Sequence, residues 1–388
     1  MKTTFKILWP IYLSWFFVGF SFITPIWILF FQSRGLTLAD IGFIATAVYL
    51  GSVLFEYPTG IFADKYGRKL SLIISLLLLI IALLLKVTAY SKIQFFIAAF
   101  MIGAAWAFSS GALQALIYDK LKENKLEKLN SKITGLMDTI CFIGVFISSI
   151  TGAWIFAYNI TYPYWLSMLF CGMAAVSLLF FKEAKYKEKN EKIDAFKQFK
   201  SGFKLIFNKP TLFSLLLIYF TLFLFEEAWY NSNQKILVDI GLPIVFLGVY
   251  SSAIMLLRII GGIYLPKLVE KFDYKKLIVI IIILEAVTFM ILGTNFLYFV
   301  IASALILGLL HPFWNYIDAH VVHKHIPSNI RATALSARQM IISLLWIPIP
   351  WLMGYLVNTF NKQTLFLVFG VVILISGLFV YVLRRDKL

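Results

Sequence analysis

The sequence predicts an all-α membrane protein of twelve transmembrane helices, arranged as two six-helix bundles. Of its 388 residues, 61% are hydrophobic and only 14% are charged, whereas soluble chains carry about 25% charged residues. The hydrophobic residues form long runs, and about 20 apolar residues are enough for one helical crossing of the hydrocarbon. This composition excludes a soluble protein.

Twelve apolar runs of sufficient length follow one another along the chain. The first run comes soon after Lys2 and Lys6, and it is long enough to stay as a span rather than to act as a cleaved leader. The predicted spans cover approximately residues 7–31, 40–62, 70–89, 93–118, 133–157, 162–181, 211–234, 243–266, 277–294, 296–318, 332–357 and 363–383.

The distribution of Lys and Arg tests this assignment, because cytoplasmic loops are enriched in both residues. If the N-terminus is cytoplasmic and the spans alternate, most of the 35 Lys and Arg residues fall in cytoplasmic segments. Only Arg34, Lys92, Lys235 and Lys362 fall in outer loops. We therefore expect a plasma-membrane protein with both termini in the cytoplasm. The net charge of +16 indicates a basic cytoplasmic face rather than a nucleic-acid groove.

One long polar segment divides the chain into two halves of six spans each. It is rich in Lys and Glu, and the spacing of Phe196, Phe199 and Phe203 suggests an amphipathic stretch on the inner leaflet. We predict an N-terminal bundle (1–181), a cytoplasmic basic linker (182–210) and a C-terminal bundle (211–388). Duplicated bundles of this kind are typical of transporters, whose substrate site lies near the midplane between the repeats.

Residues 56–69, called here the signature segment, connect the second and third spans. They read Glu-Tyr-Pro-Thr-Gly-Ile-Phe-Ala-Asp-Lys-Tyr-Gly-Arg-Lys. Gly60 would let a neighbouring helix approach closely, and Gly67 would permit a turn with positive φ. Asp64 would lie near the free N–H groups of the following helix.

Arg68 and Lys69 lie at the positive end of that helix, where its dipole disfavours cations. A lipid phosphate or a carboxylate on another helix must therefore hold them. The pattern Gly-x-x-x-Asp-x-x-Gly-Arg-Lys after the second span resembles the signature loop of the major facilitator superfamily of transporters. The resemblance implies two pseudo-symmetric bundles that rock about a central cavity lined by spans one, four, seven and ten.

Ionisable residues inside spans are costly, so they mark a pathway, a gate or a pair. In the fold that the resemblance implies, spans two and eleven pack together, and Glu56 and Arg338 would pair there as a cytoplasmic gate beside the signature segment. Asp138 of span five lies at a similar depth. Each of these residues could instead be satisfied within its own half by a basic loop. Arg258 and Glu285 lie at matching depth in spans eight and nine, which favours a structural pair over a substrate contact.

Glu226 and Glu227 in span seven are the most informative acidic residues. Adjacent residues of a helix point about 100° apart, so at most one of them faces a central cavity squarely. A carboxylate in an aromatic cavity could exchange a proton near neutral pH or attract a cationic ligand. His311 in span ten is a further candidate for proton transfer. The aromatic residues expected beside them, unless they serve ordinary helix packing, are Trp15, Trp106, Phe223, Trp229 and Trp314.

Span five partly resembles the glycine-rich antiporter motif of superfamily drug exporters. Gly135, Gly144 and Gly152 are in register with that motif, and small residues at the remaining positions preserve close helix contact. Span four lacks the arginine that those exporters use for proton coupling. Residues 110–119 and 331–336 resemble a large bacterial branch of the superfamily whose members are generally called efflux proteins.

These observations predict a secondary transporter, not an enzyme, that exports small amphipathic or cationic organic compounds by proton-coupled alternating access. No cofactor is expected besides the proton gradient, and no metal site, because His320, His323 and His325 have poor spacing for ligands. The expected partners are a small-molecule substrate and the lipid bilayer, without nucleic acid, and the protein is expected to be a monomer.

Two alternatives remain open. Nutrient uptake by symport or facilitated diffusion would use the same fold, and a pocket richer in amides and hydroxyls would favour it. A membrane enzyme or lipid-handling protein would need a nucleophile or a metal set near the interface, and the three histidines are the only hint of one.

Overall fold

The fold is described from a computed structural model, which covers residues 2–184, 210–271, 274–325 and 341–385. These ranges are helical and contain no strand. The helices of the first half are α1 (Lys2–Val18), α2 (Trp27–Ser33), α3 (Leu38–Tyr66), α4 (Arg68–Thr88), α5 (Lys92–Ser109), α6 (Ala112–Glu123), α7 (Asn130–Tyr158) and α8 (Tyr162–Leu179). Those of the second half are α9 (Pro210–Tyr230), α10 (Asn233–Asp239), α11 (Phe246–Lys271), α12 (Tyr274–Leu292), α13 (Leu297–His325), α14 (Ile349–Thr359) and α15 (Lys362–Arg385).

Eight helical stretches within the described ranges are long and apolar enough to cross a membrane. Two further apolar helices, Thr4–Val18 and Lys362–Gly377, are shorter. The prediction of an all-α membrane protein is therefore confirmed, whereas the number of twelve crossings stays a prediction.

The chain divides into two compact units. The first unit comprises Met1–Leu36, Phe43–Glu191 and Pro243–Ser252, and the second comprises Thr37–Gly42, Lys192–Leu242 and Ala253–Leu388. The first residues of α3 therefore cluster with the second half of the sequence, and the start of α11 clusters with the first half. The bundles predicted from the sequence keep each of these two segments with its own half of the chain. Their limits as domains stay a prediction.

Turns interrupt several predicted spans within the described residues, among them the first and the fourth. The first, expected as one run over 7–31, is divided into α1 and α2 by residues 19–26. The fourth is divided into α5 and α6 by Ser110 and Gly111, and Gly111 has a φ of 68°, which a residue with a Cβ rarely adopts. The expectation of continuous helices was wrong at both places, because an apolar run does not show where the backbone leaves the helical conformation.

Hydroxyl groups of neighbouring helices stabilise the end of α5 at this break. Carbonyl groups in the last turn of a helix lack partners within it, and inside a membrane each unpaired group is costly. The hydroxyl-to-carbonyl contacts are Ser75 Oγ to Ala105 at 2.7 Å, Ser71 Oγ to Phe108 at 2.7 Å and Thr59 Oγ1 to Ala107 at 3.1 Å. The interruption of the fourth span is therefore supported by specific side chains of α3 and α4.

Small residues of α7 bring it close to the end of α1 in the first unit. A Cβ on Gly144 would collide with the backbone of Phe16 and Gly19, and a Cβ on Gly152 would collide with that of Phe22. The close contact expected at these two glycines is thus confirmed. A Cβ on Gly135 would meet nothing within 4 Å, so the third glycine of the antiporter-like pattern has no such role in this unit.

The core of the second unit is strongly aromatic. Helix α12 packs against α13 and α15, and α9 packs against α13, α14 and α15. Phe225 of α9 stacks on Phe369 of α15 with ring centroids 4.3 Å apart. Phe289 of α12 and Phe366 of α15 are both fully buried, with centroids 6.4 Å apart. Through α15, this apolar packing fixes the relative positions of α9 and α12, the two helices that carry the acidic residues considered next.

Candidate functional site

Glu226 of α9 and His311 of α13 form a contact in the second unit. Oε2 of Glu226 and Nδ1 of His311 are 2.7 Å apart, a separation typical of a charge-assisted hydrogen bond. The side chains are mostly buried, with 15% of Glu226 and 19% of His311 exposed. The ring of Phe223 lies edge-on to the imidazole, with centroids 5.0 Å apart. The pair therefore lies in surroundings where water competes little for its hydrogen bond.

Glu227 has a different partner, although it is adjacent to Glu226 in the sequence. Its side chain is buried, and its Oε1 accepts a hydrogen bond of 3.0 Å from Nδ2 of Asn231, which follows α9. The divergence agrees with the rotation of about 100° between adjacent helical residues. Of the two carboxylates, Glu226 is the one whose described partner lies on another helix.

Glu285 of α12 contacts Trp314 of α13 instead of the predicted Arg258. Nε1 of Trp314 donates a hydrogen bond of 2.6 Å to Oε1 of Glu285. Glu285 is only 1% exposed, and its Oε2 is buried without a hydrogen-bond partner in the described part of the chain. Arg258 is exposed on α11 and forms no described ion pair. The predicted structural pair was therefore wrong, because a neighbouring indole N–H binds one carboxyl oxygen without the cost of burying a guanidinium.

The aromatic residues predicted for a cavity separate into three environments. Phe223 contacts His311, as described above. Trp229 and Trp314 are buried in the core of the second unit, where Trp229 packs edge-on against Phe366. Trp15 and Trp106 belong to the first unit and line a cavity there. The expected single aromatic lining is therefore not found within either unit.

The geometry of Glu226 and His311 allows the pair to hold one proton between two basic atoms. With that proton the pair has no net charge, and without it a carboxylate and a neutral imidazole remain. A lone negative charge is costly in an apolar site, so a returning proton or a cationic group would restore neutrality. Binding of the proton and binding of the cationic group would exclude one another. Among the described residues, this pair is the best candidate for a proton site.

In the signature segment, Gly67 has the backbone conformation and Arg68 the kind of partner that the sequence predicts. Gly67 separates α3 from α4 with a φ of 111°. Arg68 forms an ion pair with Asp119 of α6, and its Nη1 also donates a hydrogen bond of 2.9 Å to the carbonyl of Ala115. Of the two predicted partners for this cation, a carboxylate on another helix is therefore the one found.

Lys69 is held by carbonyl groups rather than by an anion. Its Nζ donates hydrogen bonds of 2.8 Å to the carbonyls of Leu179 and Phe181, at the end of α8. The C-terminal end of a helix carries partial negative charge and favours a cation. Only phosphates and carboxylates were predicted as partners of Lys69, because carbonyl groups so far away in the chain leave no local pattern.

The contacts predicted for Asp64 and Gly60 are not found among the described residues of the signature segment. Asp64 is an exposed residue in the last turn of α3, and Oε1 of Glu183 instead accepts the Arg68 backbone N–H at 2.9 Å. The two residues are 115 positions apart, so no local pattern indicated this cap. A Cβ at Gly60 would meet nothing within 4 Å, so no close helix approach at Gly60 is found.

The predicted cytoplasmic gate is only partly covered by the described residues. Glu56 is exposed on α3, and its Oε1 accepts a hydrogen bond of 3.0 Å from the hydroxyl of Ser110 at the break between α5 and α6. Asp138 is exposed on α7. Arg338 lies outside the described residues, so the Glu56–Arg338 pair stays a prediction. Ser110, Asp119 and Glu183 contact the signature segment through polar groups, and none of the three was predicted as a site residue.

Metal ligands were not expected in this protein. Within the described residues there is no group of three or more His, Cys, Asp or Glu side chains that could hold a metal ion. His320, His323 and His325 lie in the last turns of α13, and the positions of their side chains are outside this description.

Comparisons with known proteins agree with the fold. The family model of the Major Facilitator Superfamily matches residues 11–230 and 228–388. An uncharacterized MFS-type transporter of Bacillus subtilis (strain 168), YxaM, is 27% identical over 228 residues, which cover 56% of this chain and 55% of that protein. The chain thus matches about half the length of this relative.

Solved structures of transporters have similar folds. The nucleoside transporter NupG has a TM-score of 0.78 at 16% identity, with both chains fully covered. A bacterial homologue of the human lysosomal transporter Spinster, inward-facing and unoccupied, has a TM-score of 0.73 at 15% identity, with 99% of this chain and 97% of that chain covered. A D-xylose–proton symporter has a TM-score of 0.72 at 14% identity, with 96% and 97% covered. The match to the family model along both halves, together with these folds, shows that this multi-pass membrane protein belongs to the major facilitator superfamily of transporters.

Proposed function

We propose that this transporter exports small amphipathic, cationic organic compounds in exchange for protons, and that Glu226 and His311 bind the exchanged proton. The observation that carries the proposal is the 2.7 Å contact between their side chains in an aromatic part of the second unit. The pair is titratable, mostly buried and contributed by two different helices.

The exchange follows from the charge of the pair. A proton bound from outside neutralises the pair. After the change of access, its release toward the cytoplasm leaves one negative charge, which attracts a cationic substrate. Substrate and proton then occupy the site in turn, so that proton entry drives export. The ring of Phe223 beside His311 supports an organic cation as the substrate, because cations are attracted to the faces of aromatic rings.

Transport into acid-loaded liposomes tests this proposal. We expect the purified protein to accumulate ethidium, a cationic aromatic dye, in the acidic lumen, and a protonophore to abolish the accumulation. Glu226→Gln should reduce it to the level of protein-free liposomes, since the amide cannot take up the proton.

Glu227→Gln is the matched control, because this neighbouring carboxylate contacts Asn231 rather than His311. It should retain proton-driven accumulation. Equal accumulation by the wild-type protein and Glu226→Gln would refute the proton role of Glu226, and transport that ignores the protonophore would refute proton exchange.

Uptake by proton symport is the second candidate function. One protein of similar fold is a D-xylose–proton symporter, and another is a nucleoside transporter. The same liposomes distinguish the two mechanisms, because a symporter would concentrate its solute on the alkaline side. Loss of xylose or a nucleoside from the acidic lumen, without dye accumulation, would favour symport.

We also propose a location and an oligomeric state for this transporter. The excess of Lys and Arg in alternate loops supports a plasma-membrane protein with both termini in the cytoplasm. We propose that it works as a monomer, driven by the proton gradient without a cofactor.

A further inference from the structure

The first unit contains a cavity of about 220 Å³ that the proton site does not use. Residues of α1, α4, α5, α6 and α8 line it, including the indoles of Trp15 and Trp106 and the hydroxyls of Ser14, Ser75 and Ser109. An apolar protein cavity of roughly 150 Å³ accepts benzene. A volume of 220 Å³ therefore fits a fused two-ring system.

The wall of this cavity is built around the interruption of the fourth span. Trp106 and Ser109 lie just before the break, and Leu113 lies just after it. Interrupted helices in transporters often mark binding sites. The indole of Trp106 is 50% exposed, so the cavity lies beside a side chain that reaches the surface of the unit.

Two of the wall serines can only accept a further hydrogen bond. A serine hydroxyl has one donor hydrogen and two acceptor lone pairs. Ser75 Oγ donates to the Ala105 carbonyl at 2.7 Å, and Ser109 Oγ donates to the Trp106 carbonyl at 2.9 Å. Each hydroxyl then presents only lone pairs to a ligand. The wall therefore selects for a ligand with an N–H or O–H donor.

We propose that this cavity is a binding site for a fused two-ring aromatic group that carries an N–H or O–H donor. The indoles supply flat apolar surface for the rings, and Ser75 or Ser109 accepts the donor hydrogen. The proposal does not depend on the proton site.

Equilibrium binding of indole and 1-methylindole to the protein in lipid nanodiscs tests this site without a transport assay. We expect one saturable indole site per protein, above the partition measured with empty nanodiscs. 1-Methylindole lacks the donor, and loss of one hydrogen bond should weaken its binding roughly two- to tenfold. Ser109→Ala removes one acceptor and should reduce the preference for indole.

Leu79→Phe and Leu77→Phe are a matched pair of variants on α4. Leu79 lines the cavity, whereas Leu77 is 48% exposed on the same helix. The phenyl ring at position 79 should fill the cavity and abolish saturable binding, and the ring at position 77 should leave binding unchanged. Thermal unfolding of both variants verifies that they are folded.

Three outcomes would overturn the proposal. Absence of a saturable site in the wild-type protein would show that the cavity takes no such ligand. Undiminished binding by a folded Leu79→Phe protein would place the ligand elsewhere. Equal affinities for indole and 1-methylindole would refute selection by a donor. None of these results depends on whether protons are exchanged, so failure here and failure of the proposed function are distinguishable.

Discussion

The two units each hold a mostly buried ionic contact between helices, and the two contacts differ in chemistry. In the first unit, Arg68 of α4 pairs with Asp119 of α6, with 14% and 10% of the side chains exposed. In the second unit, Glu226 pairs with His311 at nearly the same burial. Arginine stays charged at any physiological pH, whereas histidine gains and loses its charge there. Similar burial therefore surrounds a permanent cation in one unit and, in the other, a pair that we propose to bind a proton reversibly.

The surroundings of the two pairs agree with this difference. Arg68 also donates to the carbonyl of Ala115, and its own backbone N–H is bonded to Glu183, so several contacts hold α4, α6 and the end of α8 together. His311 has an aromatic edge beside it instead. Many simultaneous hydrogen bonds favour one fixed geometry for Arg68, whereas a single described hydrogen bond joins Glu226 to His311.

The largest effect is expected when the permanent pair is broken. Asp119→Asn would leave Arg68 mostly buried without a counter-charge, and removing one partner of such a pair costs about 3 kcal/mol. Thermal and denaturant unfolding of the purified protein would measure this loss, and transport should fall with it.

Glu123→Gln provides the control for that variant on the same helix. Lys120 Nζ and Glu123 Oε2 form an ion pair at 2.6 Å in which the carboxylate is 33% exposed. Because water reaches this carboxylate, the pair should contribute less than about 1 kcal/mol. If Asp119→Asn and Glu123→Gln cost the same, the Arg68 contact is no more structural than a surface pair, and the contrast between the units disappears.

A smaller effect is expected from Glu285, the third buried acid of the second unit. Glu285→Leu leaves the buried Trp314 N–H without an acceptor, which costs about 1–3 kcal/mol. Glu285→Gln keeps a neutral acceptor and should be close to the wild-type protein in unfolding experiments. If Gln is as destabilising as Leu, the carboxyl acts as an anion, and the second unit contains a permanent charge after all.

The sequence was sufficient to predict the class of fold and the parts of the site that local patterns encode. Long apolar runs predict membrane helices, and Gly67 has the positive φ expected of a glycine at that turn. A carboxylate on another helix was one of the two partners predicted for Arg68 from its position at a helix N-terminus, and Asp119 is that carboxylate. Adjacent Glu226 and Glu227 were expected to diverge because of helix geometry, and their contacts do diverge.

The failures of sequence-based prediction concern contacts between residues far apart in the chain. Glu285 was paired with Arg258 only because the two residues lie at the same depth in the membrane. Depth does not show which face of a helix meets which neighbour. The contact of Glu285 is with Trp314. The break at Ser110 and Gly111 depends on hydroxyls of two other helices, so hydropathy could not reveal it. Trp15 and Trp106 line a cavity of the first unit that no local pattern indicated, and their place beside the acidic pair stays a prediction.

The smallest effect is expected from substitutions of Glu183. They test whether this residue, besides the Arg68–Asp119 pair, helps to hold the start of α4. Oε1 of Glu183 caps the first N–H of α4, and Gly67 before it has no side chain that could do so. Glu183→Ala should therefore cost about 1 kcal/mol, the usual effect of losing a helix cap. Glu183→Gln should cost less, because its amide oxygen can still accept. Unfolding midpoints of both variants, with the exposed neighbour variant Lys182→Ala as control, measure the difference. If Glu183→Ala matches the control, the Arg68–Asp119 pair alone fixes the start of α4, and the end of α8 does not contribute to that link.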